Sequence, residues 1–118
     1  MSIKPIFETV EQVKKGIDNL SVDDLKKELE RDDLLLIDIR EIQEHVDLGT
    51  IPGATLASRG MLEFWADPAS PYYRDYFTED KRIIVFCAGG GRSAFAAQAL
   101  KDMGYADVGH LEEGFTGW

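Results

Sequence analysis

The 118-residue sequence predicts an α/β fold, a mostly parallel sheet with helices on both faces. Two observations carry this. The runs Leu34–Asp38 and Arg82–Cys87 are apolar and largely unbroken, as strands covered on both faces require, and a last short strand is expected around Val108–Leu111. Segments of helical spacing lie between them, and a strand–helix–strand alternation builds parallel pairs through right-handed crossovers.

The elements come in order along the chain. Phe7, Val10, Val13 and Ile17 recur at helical spacing. Ser21-Val22-Asp23-Asp24 resembles a capping box and opens a second helix whose apolar face is Val22, Leu25 and Leu29. Asp32-Asp33 ends it, and the first strand occupies Leu34–Asp38. Arg40 to Val46 reads as a short helix stopped at Gly49. Ile51-Pro52-Gly53-Ala54 turns into a brief strand at Thr55–Ala57. Met61, Leu62, Phe64 and Trp65 form one or two helical turns, and Asp67–Pro71 is a surface loop. Ser93–Met103 is alanine-rich and helical, with Gly104 as its C-cap.

Composition narrows the function classes. Thirteen basic against 22 acidic residues leave a net charge of −9, which repels nucleic acid and anionic lipid. One cysteine leaves no intramolecular disulfide, Cys-x-x-Cys pair or multi-cysteine zinc site. Met1–Pro5 lacks a signal-peptide core, and Leu34–Ile37 is far shorter than a membrane span. A free thiol in such a chain fits the reducing cytoplasm.

That cysteine, Cys87, stands where a strand ends and a helix begins, the place where open α/β sheets put their sites. On its own, a lone cysteine is a small buried hydrophobe. The residues after it argue for more. After Ala88, the three glycines Gly89, Gly90 and Gly91 allow the backbone to turn N–H groups inward, and the next helix adds its unpaired amides and positive end. Together these make a cradle for an anion or a thiolate. A thiolate held there is nucleophilic without a general base, and neither His45 nor His110 has a sequence reason to lie close. Arg92, a cation on the unfavourable first turn of a helix, is expected to close the cradle, holding an anionic substrate or countering the thiolate. Ser93 completes the loop, although serine at a helix start is usually a cap. Gly89–Ser93 lacks the Gly-Lys-Ser/Thr ending of a nucleotide loop.

Asp38-Ile39-Arg40-Glu41 followed by Glu44, Gly49–Ala54, Cys87–Ser93 and the closing Leu111–Trp118 together resemble the single-domain sulfurtransferases of the rhodanese family. The resemblance runs from about Leu20 to the end, so residues 20–118 form the rhodanese-like domain and 1–19 an N-terminal helical extension. It implies a central sheet of about five strands. It also implies a chemistry in which Cys87 takes sulfur from a donor such as thiosulfate and passes it to cyanide, a thiol or a protein acceptor. No metal or organic cofactor is implied. Substrate would meet Ala88 through Ser93 and Arg59, while Asp38 and Arg40 support the site. Two positions depart from the family pattern: Thr50 replaces a usual histidine, and Glu113-Gly114 a usual glycine pair.

Two other functions fit the same residues. A cysteine-dependent phosphatase or arsenate reductase uses a similar cradle, but with five residues between cysteine and arginine where this chain has four. A non-catalytic rhodanese-like interaction module needs no cysteine at all. The net charge of −9 opposes long-range capture of thiosulfate, so poor affinity for that donor is expected.

Overall fold

The computed structural model describes residues 2–118; Met1, the first residue of the N-terminal extension, lies outside the described residues. The chain runs α1 (Ile6–Lys14), β1 (Asp18–Leu20), α2 (Val22–Glu28), β2 (Leu34–Asp38), α3 (Ile42–Leu48) and β3 (Thr55–Leu56). A 3-10 turn (Arg59–Met61), α4 (Leu62–Ala66), β4 (Arg82–Phe86), α5 (Gly91–Met103), β5 (Val108–Leu111) and α6 (Gly114–Gly117) complete it. All pairings are parallel, in the order β1-β5-β4-β2-β3, which gives the five-stranded α/β sheet expected.

The pleat sorts the apolar runs onto two faces. Leu35, Ile37, Ile83 and Val85 pack one way, against Ala96, Ala97 and Leu100 of α5 and Leu62 of α4. Leu36, Ile84 and Phe86 pack the other way, against Leu25 of α2, Ile51 and Leu111. Burial on both sides is why these strands show no polar alternation.

Caps set the helix boundaries. Ser21 Oγ accepts from Asp24 N–H, and Asp24 Oδ2 from Ser21 N–H, both at 3.1 Å, so the capping box forms. Gly49 ends α3 with φ 79°, and Gly104 ends α5 with φ 113°. Helix α5 begins at Gly91, two residues before the expected start at Ser93, because Gly90 supplies a left-handed turn directly before it.

β1 was not legible as a strand. Asp18-Asn19-Leu20 pairs with Gly109-His110-Leu111, so the sheet reaches into the segment read as an extension. Arg82 pins that edge. Buried at the start of β4, it donates to Glu28 (2.9 Å), Asp107 (3.0 Å) and Asp18 (2.6 Å), tying α2, β1 and the approach to β5 together.

Candidate active site

β4 is the middle strand of the sheet, and its chain delivers Cys87 to the mouth of α5. Cys87 Sγ accepts N–H hydrogen bonds from Gly90 at 3.1 Å and Ser93 at 3.4 Å. The sulfur therefore sits against the N-terminal, positive end of a 13-residue helix, with two of its amides directed at it. Of the three loop glycines only Gly90 takes a positive φ, 98°. Its missing side chain matters too, since a Cβ there would stand 2.1 Å from the Glu112 carbonyl oxygen.

The end of the chain clamps the loop. Phe115 N–H donates to the Cys87 carbonyl (2.8 Å) and Thr116 N–H to that of Ala88 (2.9 Å). Gly114, with φ 66°, makes this approach: a Cβ would lie 2.3 Å from the Ala88 oxygen. The glycine this chain retains in Glu113-Gly114 is thus the one that its own loop contact demands.

Asp38 and Arg40 form a buried pair at the neighbouring strand end. Asp38 accepts from Arg40 Nε (2.9 Å), Arg40 Nη2 (2.8 Å), the Arg40 backbone (3.1 Å), His45 Nδ1 (2.9 Å) and Thr50 Oγ1 (3.0 Å). Burial pushes the Asp38 carboxyl up, but these donors outweigh it and hold the group below its ordinary value. Thr50 takes up one of the donor places. The Arg40 guanidinium lies 4.3 Å from the centre of the Phe115 ring, so the pair reaches the clamp that holds the Cys87 carbonyl.

Arg92 is placed differently from the cradle-closing role expected of it. Both its terminal nitrogens donate to the Glu44 carboxylate, at 2.8 and 2.9 Å. The Arg92 hydrogen bonds, chiefly, hold the Glu44 carboxyl down at about 2. Arg59 is ion-paired with Glu63 one helical turn on, and it does not line the cavity at Cys87.

His110 corrects the expectation that neither histidine lies close. Its Nδ1 is 2.8 Å from Ser93 Oγ, which in turn lies 3.6 Å from Cys87 Sγ. Asn19 Nδ2 donates to the Lys14 and Ile17 carbonyls, leaving Oδ1 to accept from His110 Nε2–H at 2.7 Å. Nδ1 is then the bare acceptor for the Ser93 hydroxyl, whose lone pairs face the sulfur. Burial, with Lys14 nearby, lowers the His110 pKa to about 4. A base that weak does not hold the thiol proton at neutral pH, so His110 orients Ser93 rather than deprotonating Cys87. The signal missed was register: β1 and β5 pair Asn19 directly with His110.

This burial makes stability depend on pH. The unfolded imidazole titrates near its ordinary 6.5 and the folded one at about 4. Its contribution is complete above pH 6.5 and is lost as pH falls from there towards 4, because only the unfolded chain takes up the proton. Urea unfolding at pH 7 and pH 5 is expected to show a loss on the order of 2 kcal/mol. His110→Gln should flatten that window, and an unchanged pH slope in the variant would place the effect elsewhere.

Comparison with known proteins agrees with this geometry. The family model for the rhodanese-like domain matches residues 21–118. The tRNA uridine(34) hydroxylase of Rickettsia canadensis is 32% identical over 88% of this chain, which spans only 45% of that protein's length. The thiosulfate sulfurtransferase GlpE of Pseudoalteromonas translucida is 30% identical, with 76% of this chain and 77% of the relative covered. A solved structure from Rhodopseudomonas palustris, of unknown function and described as a possible tyrosine phosphatase, superposes with a TM-score of 0.92. It is 40% identical and covers all of this chain and 92% of its own. By its matched sequence, its five-stranded parallel sheet and the loop at Cys87, the chain belongs to the rhodanese-like domain family.

Proposed function

We propose that the protein is a sulfurtransferase that moves sulfane sulfur from thiosulfate or a persulfide to a thiophilic acceptor. The observation that carries this is the Cys87 sulfur itself, at the mouth of α5 with the Gly90 and Ser93 N–H groups directed at it. The Cys87 thiolate attacks the outer sulfur of thiosulfate, the S–S bond breaks, and sulfite leaves with the bonding pair. The persulfide's terminal sulfur carries the charge the thiolate had, so the same amides that hold one can hold the other. Cyanide or a thiolate then takes that sulfur and returns the Cys87 thiolate.

In this reading Ala88 through Gly91 and Ser93 shape the sulfur site. Arg92 lines the cavity beside the loop with its terminal nitrogens held by Glu44, and Asp38 with Arg40 positions the Phe115 clamp. Four residues separate Cys87 from Arg92, one fewer than the phosphatase pattern, and the Arg92 fork is already filled by a carboxylate. Both features favour a single sulfur atom over a tetrahedral oxyanion.

Intact mass after incubation with thiosulfate is expected to rise by about 32 Da, one sulfur atom, and not to rise in Cys87→Ser. Thiocyanate should form when cyanide is added. Absence of the mass gain, or phosphate release from p-nitrophenyl phosphate that disappears in Cys87→Ser, would overturn the assignment.

A further inference from the structure

We propose that the preferred donor carries its sulfane sulfur on a small apolar organic body, aromatic or branched aliphatic, and that α1 is the wall selecting it. The inference rests on the sulfur-transfer reading and names its substrate class.

A cavity of about 470 Å³ opens over Cys87, a size that suits a small organic molecule. Its walls are Ile6, Phe7 and Val10 from α1 and Phe95 from α5, with Cys87 and Arg92 beside the loop. Helix α1 precedes the stretch matched by the family model, so this wall is an addition to the shared domain. Val10 is buried, and its Cγ2 lies 4.0 Å from where a Gly91 side chain would begin, which seats α1 against the loop. Ile6 and Phe7 remain 58% and 76% exposed, neighbouring apolar side chains at the cavity rather than in the core.

Electrostatics point the same way. Among the described residues, Arg92 is the only charged one lining this cavity, and its terminal nitrogens are engaged by Glu44. An anionic donor meets a cation already neutralised there, in a chain of net charge −9. An aromatic or aliphatic body instead gains contact with two phenyl rings and two branched side chains. With benzenethiosulfonate as donor, the Cys87 thiolate attacks the outer sulfur, the S–S bond breaks and benzenesulfinate leaves with the electron pair. The persulfide anion on Cys87 balances the charge, with no proton or outside electron required.

Methanethiosulfonate and benzenethiosulfonate present the same singly charged sulfane group on a methyl or a phenyl body. With cyanide as acceptor, kcat/KM is expected to be at least about tenfold higher for the phenyl donor. That ratio should fall several-fold in Phe7→Ser, a replacement at an exposed position outside the core. Equal kcat/KM for the two donors, or a ratio indifferent to Phe7→Ser, overturns the proposal and leaves sulfur transfer standing. A second measurement does not depend on turnover. Benzyl mercaptan titrated into Cys87→Ser should shift the NMR signals of Phe7, Val10 and Phe95, and unmoved signals also overturn it. Shifts without sulfur uptake by the unsubstituted protein from either donor would support the apolar site and refute the reading of its chemistry.

Discussion

Asp38→Ala is expected to destabilise the protein by about 3–5 kcal/mol, the usual cost of stripping one partner from a buried ion pair. Arg40 is fully buried, and its Nη1 already lacks a hydrogen-bond partner among the described residues. Without the carboxylate, the guanidinium would keep the Gly49 carbonyl at 2.6 Å and the faces of Phe115 and Phe86. The Thr50 hydroxyl and the His45 ring would lose an acceptor as well. Against a typical folding stability of about 5–15 kcal/mol, this change alone brings the chain near unfolding. Urea titration measures it, and the paired replacement Asp38→Leu with Arg40→Met should recover most of the loss. A single-variant loss below about 1 kcal/mol would show that the pair is better solvated than its burial implies. The same carboxylate sets an acid limit. Its pKa is lower folded than unfolded, so its contribution is present above the ordinary 3.8 and disappears as pH falls through the folded value.

Gly90→Ala is the second large effect, and it acts on fold and site together. A left-handed φ of 98° is strained for alanine, and its Cβ would stand 2.1 Å from a backbone oxygen that cannot swing away. Strain and overpacking together should cost at least about 3 kcal/mol. Any relief moves the Gly90 N–H off the Cys87 sulfur, so sulfur uptake measured by mass should fall with stability. Gly89→Ala is the contrast. No atom lies within 4 Å of its new Cβ and its φ is not left-handed, so stability should stay within about 0.5 kcal/mol. Equal losses at the two positions would mean that loop flexibility, not the Glu112 contact, sets the requirement for glycine.

The contrast between these glycines marks how far the sequence could be read. The strands at Leu34–Asp38 and Val108–Leu111 match their predicted limits, the first because its apolar run is continuous and the second because it follows a helix stopped at Gly104. Cys87 and its loop were legible because strand, glycines and helix start are local in sequence. The partners were not. Arg92 meets Glu44 across 48 residues, and His110 meets Asn19 across 91, by pairings that only the sheet order creates. β1 holds one buried apolar residue, Leu20, and owes its strand geometry to β5 rather than to its own propensity. The apolar residues of α1 showed a helix but not what it faces, since periodicity defines a stripe and leaves its partner open.

The two edges of the sheet have a consequence for the protein in concentrated solution. β1 offers three residues and β3 only two, so neither presents more than a few free backbone groups to a passing strand. The long apolar strands β2 and β4 take interior positions: β4 lies between β5 and β2, while β2 is paired along its whole length with β4 and at Ile37 and Asp38 with β3. A chain built on such runs can therefore stay dispersed while folded, and its aggregation hazard is concentrated in the unfolded state, where β2 and β4 are bare.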